Sequence, residues 1–366
     1  MAKKKAARKA KKKVEKESAG EFLSRGKYLS DAPDPRYVST GSLQLDLLLG
    51  GGYRRGTWNH VIGPNFIGKS TLCLTAIREF LIAEPDGRGV YFDTEGRLEK
   101  HHHTKVPGLP MDRLRLLRPE DFESVEQMLD YFETLLTQDS TPFCFVFDSL
   151  DAFCTSSERS KNFTVGANLE VARLSSAMGR RLRAATSSKE DLVFFVSQLR
   201  SKPDMGYGGG DGLTTFGGQA MYFYADNRFI IKGTRVYKKN LILAEGQKKP
   251  IGHQFEVVLD KTETLNAFSS VMVPIIYGEG VSLPREVMQV GLVTGHVRMS
   301  GSWISLMDGE EEVAKIQGWD NACSQLSTDT DMCRRFRTLV SNEYRAMCEA
   351  ARPQEEKDRE EALAGT

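Results

Sequence analysis

Cysteine is scarce in this sequence. Six occur among 366 residues, Cys73, Cys144, Cys154, Cys323, Cys333 and Cys348, and no two form a C-x-x-C pair. That argues against a disulfide-stapled scaffold and gives no support to a zinc or dithiol site. The thiols read as buried or idle groups in a reducing compartment. Long apolar runs are missing as well: none reaches the roughly 20 residues a membrane span needs. No internal repeat is visible. The amino-terminal segment lacks the apolar core of a secretory signal, so export is not indicated and a cytoplasmic location is expected. What is present suits a globular chain: 40% hydrophobic, 9% aromatic and 27% charged residues. That excludes a wholly disordered protein. The length implies one large core with appended pieces, or two domains.

The net charge of +1 conceals an asymmetry. Residues 3–16 carry nine cations (Lys3, Lys4, Lys5, Arg8, Lys9, Lys11, Lys12, Lys13 and Lys16) against the single acid Glu15. The stretch 353–366 is acidic, with Glu355, Glu356, Asp358, Glu360 and Glu361. A basic arm neutralises phosphates and releases counterions, which favours nucleic acid; the plainer alternative is a solvated tail.

From about residue 60, short apolar runs alternate with longer periodic segments. The runs are Trp58–Ile62, Gly89–Asp93, Phe143–Asp148, Leu192–Ser197 and Phe229–Ile231, with further strands expected near 254–260 and 270–277. Helical patterns lie near 71–84, 121–138 and 165–187. This alternation predicts an α/β fold, a mainly parallel twisted sheet flanked by helices, with functional residues at the carboxyl ends of the strands. Residues 202–218 hold seven glycines and no helix or strand pattern. A long glycine-rich loop inside a compact domain is usually functional or disordered. Beyond Gly280 the texture changes to short helices and a turn-rich stretch at 294–312. The expected organisation is a basic arm (1–20), an oligomerisation segment and linker (21–37), a core (38–280), a small carboxy-terminal α+β domain (281–352) and an acidic mobile tail (353–366).

One motif is complete. Gly63-Pro64-Asn65-Phe66-Ile67-Gly68-Lys69-Ser70 fits G-x-x-x-x-G-K-[ST], after a strand candidate and before a helical run beginning at Thr71. That is the context a phosphate-binding loop requires. Its glycines let backbone amides approach an anion, the helix start adds positive potential, Lys69 reaches the terminal phosphates and Ser70 holds Mg²⁺. Asp148, ending an apolar strand, suits a second Mg²⁺-directed carboxylate. Glu95 is a candidate for orienting or deprotonating water, with Asp93 as competitor. His101, His102 and His103 are consecutive and so point in different directions, which makes a solvated run a better reading than a chelate.

In order along residues 38–300, these segments resemble the RecA-type DNA strand-exchange recombinases, bacterial RecA and its phage counterpart UvsX. The resemblance begins at Val38–Asp46 and runs through Gly63–Ser70, Phe92-Asp93-Thr94-Glu95 and Val146-Phe147-Asp148-Ser149. It is most specific at Val196-Ser197-Gln198-Leu199-Arg200 and, after the glycine-rich loop, Thr214-Thr215-Phe216-Gly217-Gly218-Gln219-Ala220-Met221-Tyr222-Phe223-Tyr224-Ala225, and Tyr277-Gly278-Glu279-Gly280 also matches. It implies a RecA-like P-loop NTPase core that hydrolyses ATP with Mg²⁺ and DNA. Glu95 takes the place of the family's catalytic glutamate, which sets it above Asp93. Gln198 takes that of the glutamine sensing the γ-phosphate, and Lys261 that of a cation reaching a neighbour's ATP. Leu259 stands where a second such cation is expected; Arg235, Lys238 or Lys248 are substitutes. Residues 200–217 correspond to one DNA loop, and 156–166, with Arg159 and Lys161, to another by position. Expected DNA contacts are Arg200, Lys202, Met205, Gly206, Tyr207, Gly208, Gly209, Thr214, Thr215, Gly217 and Gly218, with Met205 and Tyr207 wedging or stacking on bases. Phe223 resembles an intersubunit contact. The implied partners are single- and double-stranded DNA, further copies in a helical filament, and single-strand-binding and loader proteins. A hexameric helicase with the same core is the alternative, followed by a regulatory ATPase.

Overall fold

The computed structural model describes residues 34–98, 106–150, 168–201, 213–214, 218–240, 248–262 and 269–364. Residues 37–366 form one compact unit and 1–36 another, of which only 34–36 are described.

The apolar runs build a nine-stranded sheet. Its strands are β1 (Trp58–Gly63), β2 (Arg88–Asp93), β3 (Leu114–Leu117), β4 (Phe143–Asp148), β5 (Leu192–Gln198), β6 (Asn227–Asn240), β7 (Lys248–Lys261), β8 (Ser270–Ile276) and β9 (Gly280–Val281). Their spatial order is β9-β8-β7-β6-β1-β5-β4-β2-β3. From β6 to β3 all neighbours are parallel, whereas β7, β8 and β9 are added antiparallel. The helices of this region are α1 (Leu43–Leu48), α2 (Lys69–Ala83), α3 (Val125–Gln138), α4 (Asn168–Lys189) and α5 (Gly218–Tyr224).

Period-two alternation explains why continuous apolar runs become strands here: both faces of the parallel part are covered. On β4, Cys144 and Val146 pack with α2 residues Leu72, Ile77 and Phe80. Phe143, Phe145 and Phe147 point the other way, to α3 and α4 residues Phe132, Leu136 and Met178. On that second face Phe92, Phe147 and Phe195 stand in register on adjacent strands. They stack with ring centroids 4.5 and 5.1 Å apart, and Phe132 meets Phe147 edge-on. Such cross-strand aromatic pairs add to area burial and fix register.

The parallel sheet and its flanking helices match the expected architecture. The edge strand β3 was not expected, because Leu114-Arg115-Leu116-Leu117 is short, interrupted by Arg115 and flanked by Arg113 and Arg118. Strand β6 was expected only at Phe229–Ile231 but pairs with β7 from Arg228 to Asn240.

The carboxy-terminal region mixes helices with a small sheet, as the expected α+β class has it, and only the turn-rich reading of 294–312 is corrected. In place of a turn-rich stretch with short helices, 297–317 forms a three-stranded antiparallel sheet: β10 (Val297–Ser300), β11 (Trp303–Asp308) and β12 (Glu311–Gln317). Glycines at left-handed φ, Gly301 (60°) and Gly309 (63°), make its turns. Those glycines and the charged face of β12 hid the strands. Helix α6 (Leu283–Thr294) precedes the sheet; α7 (Trp319–Thr328) and α8 (Thr330–Ala364) follow. Leu306, Val287 and Phe336 share a core with Leu43 of α1. Glu286 of α6 is fully buried and accepts hydrogen bonds from Ser42 Oγ (2.5 Å) and the Leu43 amide (2.7 Å). Burial is the main cause raising its carboxyl to about 8.

Among the described residues, no helix is long and apolar enough to cross a membrane. Cys73, Cys144, Cys323 and Cys333 are buried free thiols, while Cys154 lies outside the described residues.

Candidate functional site

The carboxyl ends of the parallel strands meet at one cleft of about 490 Å³. Sheet register puts Gly63 beside Gln198 and Asp93 beside Asp148. Strand order makes this the natural crevice: β1 passes to β2 through α2, while its sheet neighbours β5 and β6 come from later in the chain. A crevice at such a switch point is where ligands of open α/β sheets bind.

The loop Gly63–Ser70 joins β1 to α2. Gly68, at φ 113°, ends it; a Cβ there would also lie 2.9 Å from a Phe255 ring carbon. Phe66 takes φ 60° and is 93% exposed at the loop's apex. The Lys69 ammonium donates to the carbonyls of Gly63 (2.9 Å) and Pro64 (2.7 Å). Lys69, Ser70 and Thr71 form the first turn of α2, whose positive amino-terminal end opens onto the cleft. The Ser70 hydroxyl donates to Asp148 Oδ2 at 2.6 Å, and the Tyr91 hydroxyl to the same oxygen at 2.5 Å. Burial raises the Asp148 carboxyl above its ordinary value, opposed by those two hydrogen bonds. A hydroxyl and a partly desolvated carboxylate together are a hard oxygen pair that fits a divalent cation such as Mg²⁺.

Glu95 and Asp93 have different surroundings. Asp93 is buried and accepts from the backbone amides of Arg97 (3.0 Å) and Leu98 (2.8 Å), so it pins the turn after β2. Glu95 stands on that turn and faces the cleft. Its Oε1 accepts from Ser149 Oγ (2.6 Å) and Gln198 Nε2 (2.9 Å), and its Oε2 pairs with Arg97 (2.8 Å). The side chains of Glu95 and Gln198, the two whose roles the resemblance implies most sharply, touch.

The cleft lining also includes Asn65, Tyr91, Arg97, Ser149, His253 and Tyr277. Beyond the loop residue Asn65 and the Tyr277 of the resemblance, these were not foreseen as site residues. Parity offered a signal for Tyr91, two positions before Asp93 on one strand face. Nothing in the sequence pointed to His253, which meets the loop through Ile67 O (3.2 Å).

Lys261 lies elsewhere. Its ammonium caps the carboxyl end of α5, donating to the carbonyls of Tyr222 (2.8 Å), Phe223 (3.1 Å) and Ala225 (2.7 Å). Phe223 beside it is 68% exposed. Leu259 is fully buried, because Phe255, Val257 and Leu259 all face the core by strand alternation. A side chain at 259 therefore points into the protein rather than toward a neighbour, so position 259 offers no place for the second expected cation. Arg200 and Ser201 pair antiparallel with Thr214 and Leu213, closing the base of the glycine-rich loop, and Gly218 starts α5. Arg159, Lys161, Lys202, Met205, Gly206, Tyr207, Gly208, Gly209, Thr215 and Gly217 lie outside the described residues, as do His101, His102 and His103. Among the described residues there is no cluster of His, Cys, Asp and Glu suited to a metal.

The RecA N-terminal domain model matches residues 5–282. Protein RecA of Caulobacter vibrioides is 31% identical over 304 residues, covering 83% of this chain and 80% of that protein. Protein RecA of Nitrobacter winogradskyi is 29% identical over 332 residues, with 90% and 86% covered. Protein RecA of Rhizobium leguminosarum bv. trifolii is 31% identical over 300 residues, with 82% and 77% covered. With the family model matching from the basic arm to the end of the nine-stranded sheet, and with relatives matching most of both chains, the chain belongs to the RecA family.

Proposed function

We propose that the cleft binds and hydrolyses ATP with Mg²⁺ and that this cycle drives filament assembly on single-stranded DNA. The protein is an ATP-dependent recombinase; its RecA-named relatives do not favour the ring-forming helicase alternative. The observation carrying the site assignment is the convergence of Lys69, Ser70, Asp148, Glu95 and Gln198 on one cleft.

Each residue has a task set by its chemistry. The amides of Gly63–Ser70 and the start of α2 cradle the phosphates. Lys69, held against the loop's own carbonyls, turns its ammonium to the terminal phosphates. Ser70 and Asp148 would hold Mg²⁺, which when bound neutralises charge on the β- and γ-phosphate oxygens. Glu95 orients the attacking water and takes up its proton. Gln198, bonded to Glu95 and ending β5 two residues before Arg200, links events at the γ-phosphate to the loop 200–217. That loop is our DNA site. Backbone amides and polar side chains there contact phosphates without reading bases, because base pairing supplies the sequence specificity. The basic arm adds phosphate contacts. Phe223 and Lys261, side by side at the end of α5, face the next copy of a head-to-tail helix, an arrangement that need not close into a ring. We place the protein in the cytoplasm of a bacterial cell, cellular or phage-encoded, with single-strand-binding and loader proteins as further partners. We also propose 281–352 as a separate carboxy-terminal domain.

The test is ATP turnover with and without single-stranded DNA, in wild type and Lys69→Ala. Mg²⁺-dependent, DNA-stimulated turnover that Lys69→Ala abolishes is expected. Undiminished turnover in the variant contradicts the assignment of the loop.

A further inference from the structure

We propose that Arg97 is a γ-phosphate-binding cation supplied by the same chain, one that pairs with Glu95 and exchanges that carboxylate for the γ-phosphate of ATP. The inference rests on the nucleotide reading above.

The argument starts from Glu95. A carboxylate that orients water needs an unoccupied lone pair facing that water. Here Oε1 already accepts from Ser149 and Gln198, and Oε2 is paired with Arg97 at 2.8 Å. The Arg97 partner is the one able to leave. Ser149 follows Asp148 directly at the end of β4, and Gln198 ends β5, so both are carried by the sheet. Arg97 is carried by a turn, and its side chain is 61% exposed where that of Glu95 is 15% exposed.

The backbone under Arg97 is nevertheless fixed. Asp93 accepts from the amides of Arg97 and Leu98, and Arg118 donates to the Leu98 carbonyl at 2.7 Å. Motion is thereby confined to the long side chain, whose planar guanidinium presents five N–H donors suited to a phosphate.

Charge supplies the drive. Among the described residues, the cations lining the cleft are Lys69 and Arg97, set against Asp93, Glu95 and Asp148. A triphosphate adds several negative charges to this wall. Turning Arg97 from Glu95 to the γ-phosphate keeps the guanidinium paired and frees the lone pair of Oε2 that the guanidinium holds, on the side facing the cleft. The same movement thus adds a phosphate contact and readies the carboxylate. It also puts a cation at the γ-phosphate from within the chain, which matters where Leu259 is committed to the core.

Equilibrium binding of ADP and of a non-hydrolysable ATP analogue, each with Mg²⁺ and without DNA, tests this on the full chain. Wild type is compared with Arg97→Ala and Arg97→Lys. Loss of one charge-assisted contact predicts that Arg97→Ala weakens the analogue about tenfold while changing ADP by less than about twofold. Arg97→Lys, keeping the charge, is expected to recover part of the loss. Unchanged affinity of Arg97→Ala for the analogue overturns the proposal, and so does equal weakening of both nucleotides. A wild type that binds both nucleotides while Arg97→Ala matches it sinks the role of Arg97 alone; a wild type that binds neither sinks the nucleotide reading and this inference with it.

Discussion

Replacing Glu286 with glutamine is expected to reverse a pH-dependent weakness of the fold. Glu286 lies fully buried on α6 and accepts from Ser42 Oγ and the Leu43 amide, joining the carboxy-terminal region to α1. Burial raises its carboxyl from 4.5 to about 8; the nearby Asp46 adds to the rise, while those two hydrogen bonds and Arg337 oppose it. The folded state therefore keeps a proton that the unfolded chain has released. The stabilising contribution is complete below the unfolded value of 4.5 and is lost as pH climbs through about 8. Between about pH 5 and about pH 8.5 the loss integrates to on the order of 4 kcal/mol at 1.36 kcal/mol per pH unit. Glutamine carries no charge at any pH, and its amide fits the same partners: the oxygen accepts from Leu43 and the NH₂ donates to Ser42 Oγ. Asp148 and Asp191, whose carboxyls burial also raises, titrate in both proteins and cancel, while the coupling of Asp46 to Glu286 is part of the difference that the comparison reads. Urea unfolding followed by circular dichroism at the two pH values gives the comparison. Glu286→Gln is expected to gain about 4 kcal/mol on the wild type between the acid and the alkaline series. An equal gap at both pH values refutes the reasoning.

Glu95→Gln is expected to slow ATP hydrolysis on the order of 10²- to 10⁴-fold with nucleotide binding retained. Asp93→Asn should instead loosen the turn, costing about 1–3 kcal/mol of stability by weakening its two backbone contacts; the reverse pattern in turnover assays would exchange their roles. Removing residues 1–16 takes away nine cations. Plots of DNA affinity against salt should then become shallower with ATP binding unchanged, and an identical slope would make the arm a spectator. Arg200→Ala is expected to lower single-strand affinity and DNA-stimulated turnover together, leaving DNA-free nucleotide affinity alone; a change in that affinity argues against a DNA role.

The parallel sheet was legible because its strands are buried on both faces. Runs such as Phe143–Asp148 stay apolar throughout and stop at a polar residue, so strand type and site position are read together. The loop Gly63–Ser70 was legible because phosphate chemistry constrains adjacent positions, glycine for backbone approach and lysine for charge. The positions of the carboxy-terminal strands escaped because β12 is largely exposed and isolated glycines make the turns, so only the short run Trp303–Met307 carried an apolar signal. Tyr91 escaped because its partner Asp148 is distant in sequence, and Arg97 because nothing at its own position marks a pairing with Glu95 two residues before it. The competition between Asp93 and Glu95, open from spacing alone, has a geometric basis in the amides that occupy Asp93.

Electron microscopy of the protein with ATP and single-stranded DNA tests the central claim most directly. A chain that couples ATP in this cleft to head-to-tail assembly should coat the DNA as open helical filaments, and Lys69→Ala should not extend them. Closed rings encircling the strand, or isolated particles under the same conditions, would contradict the account.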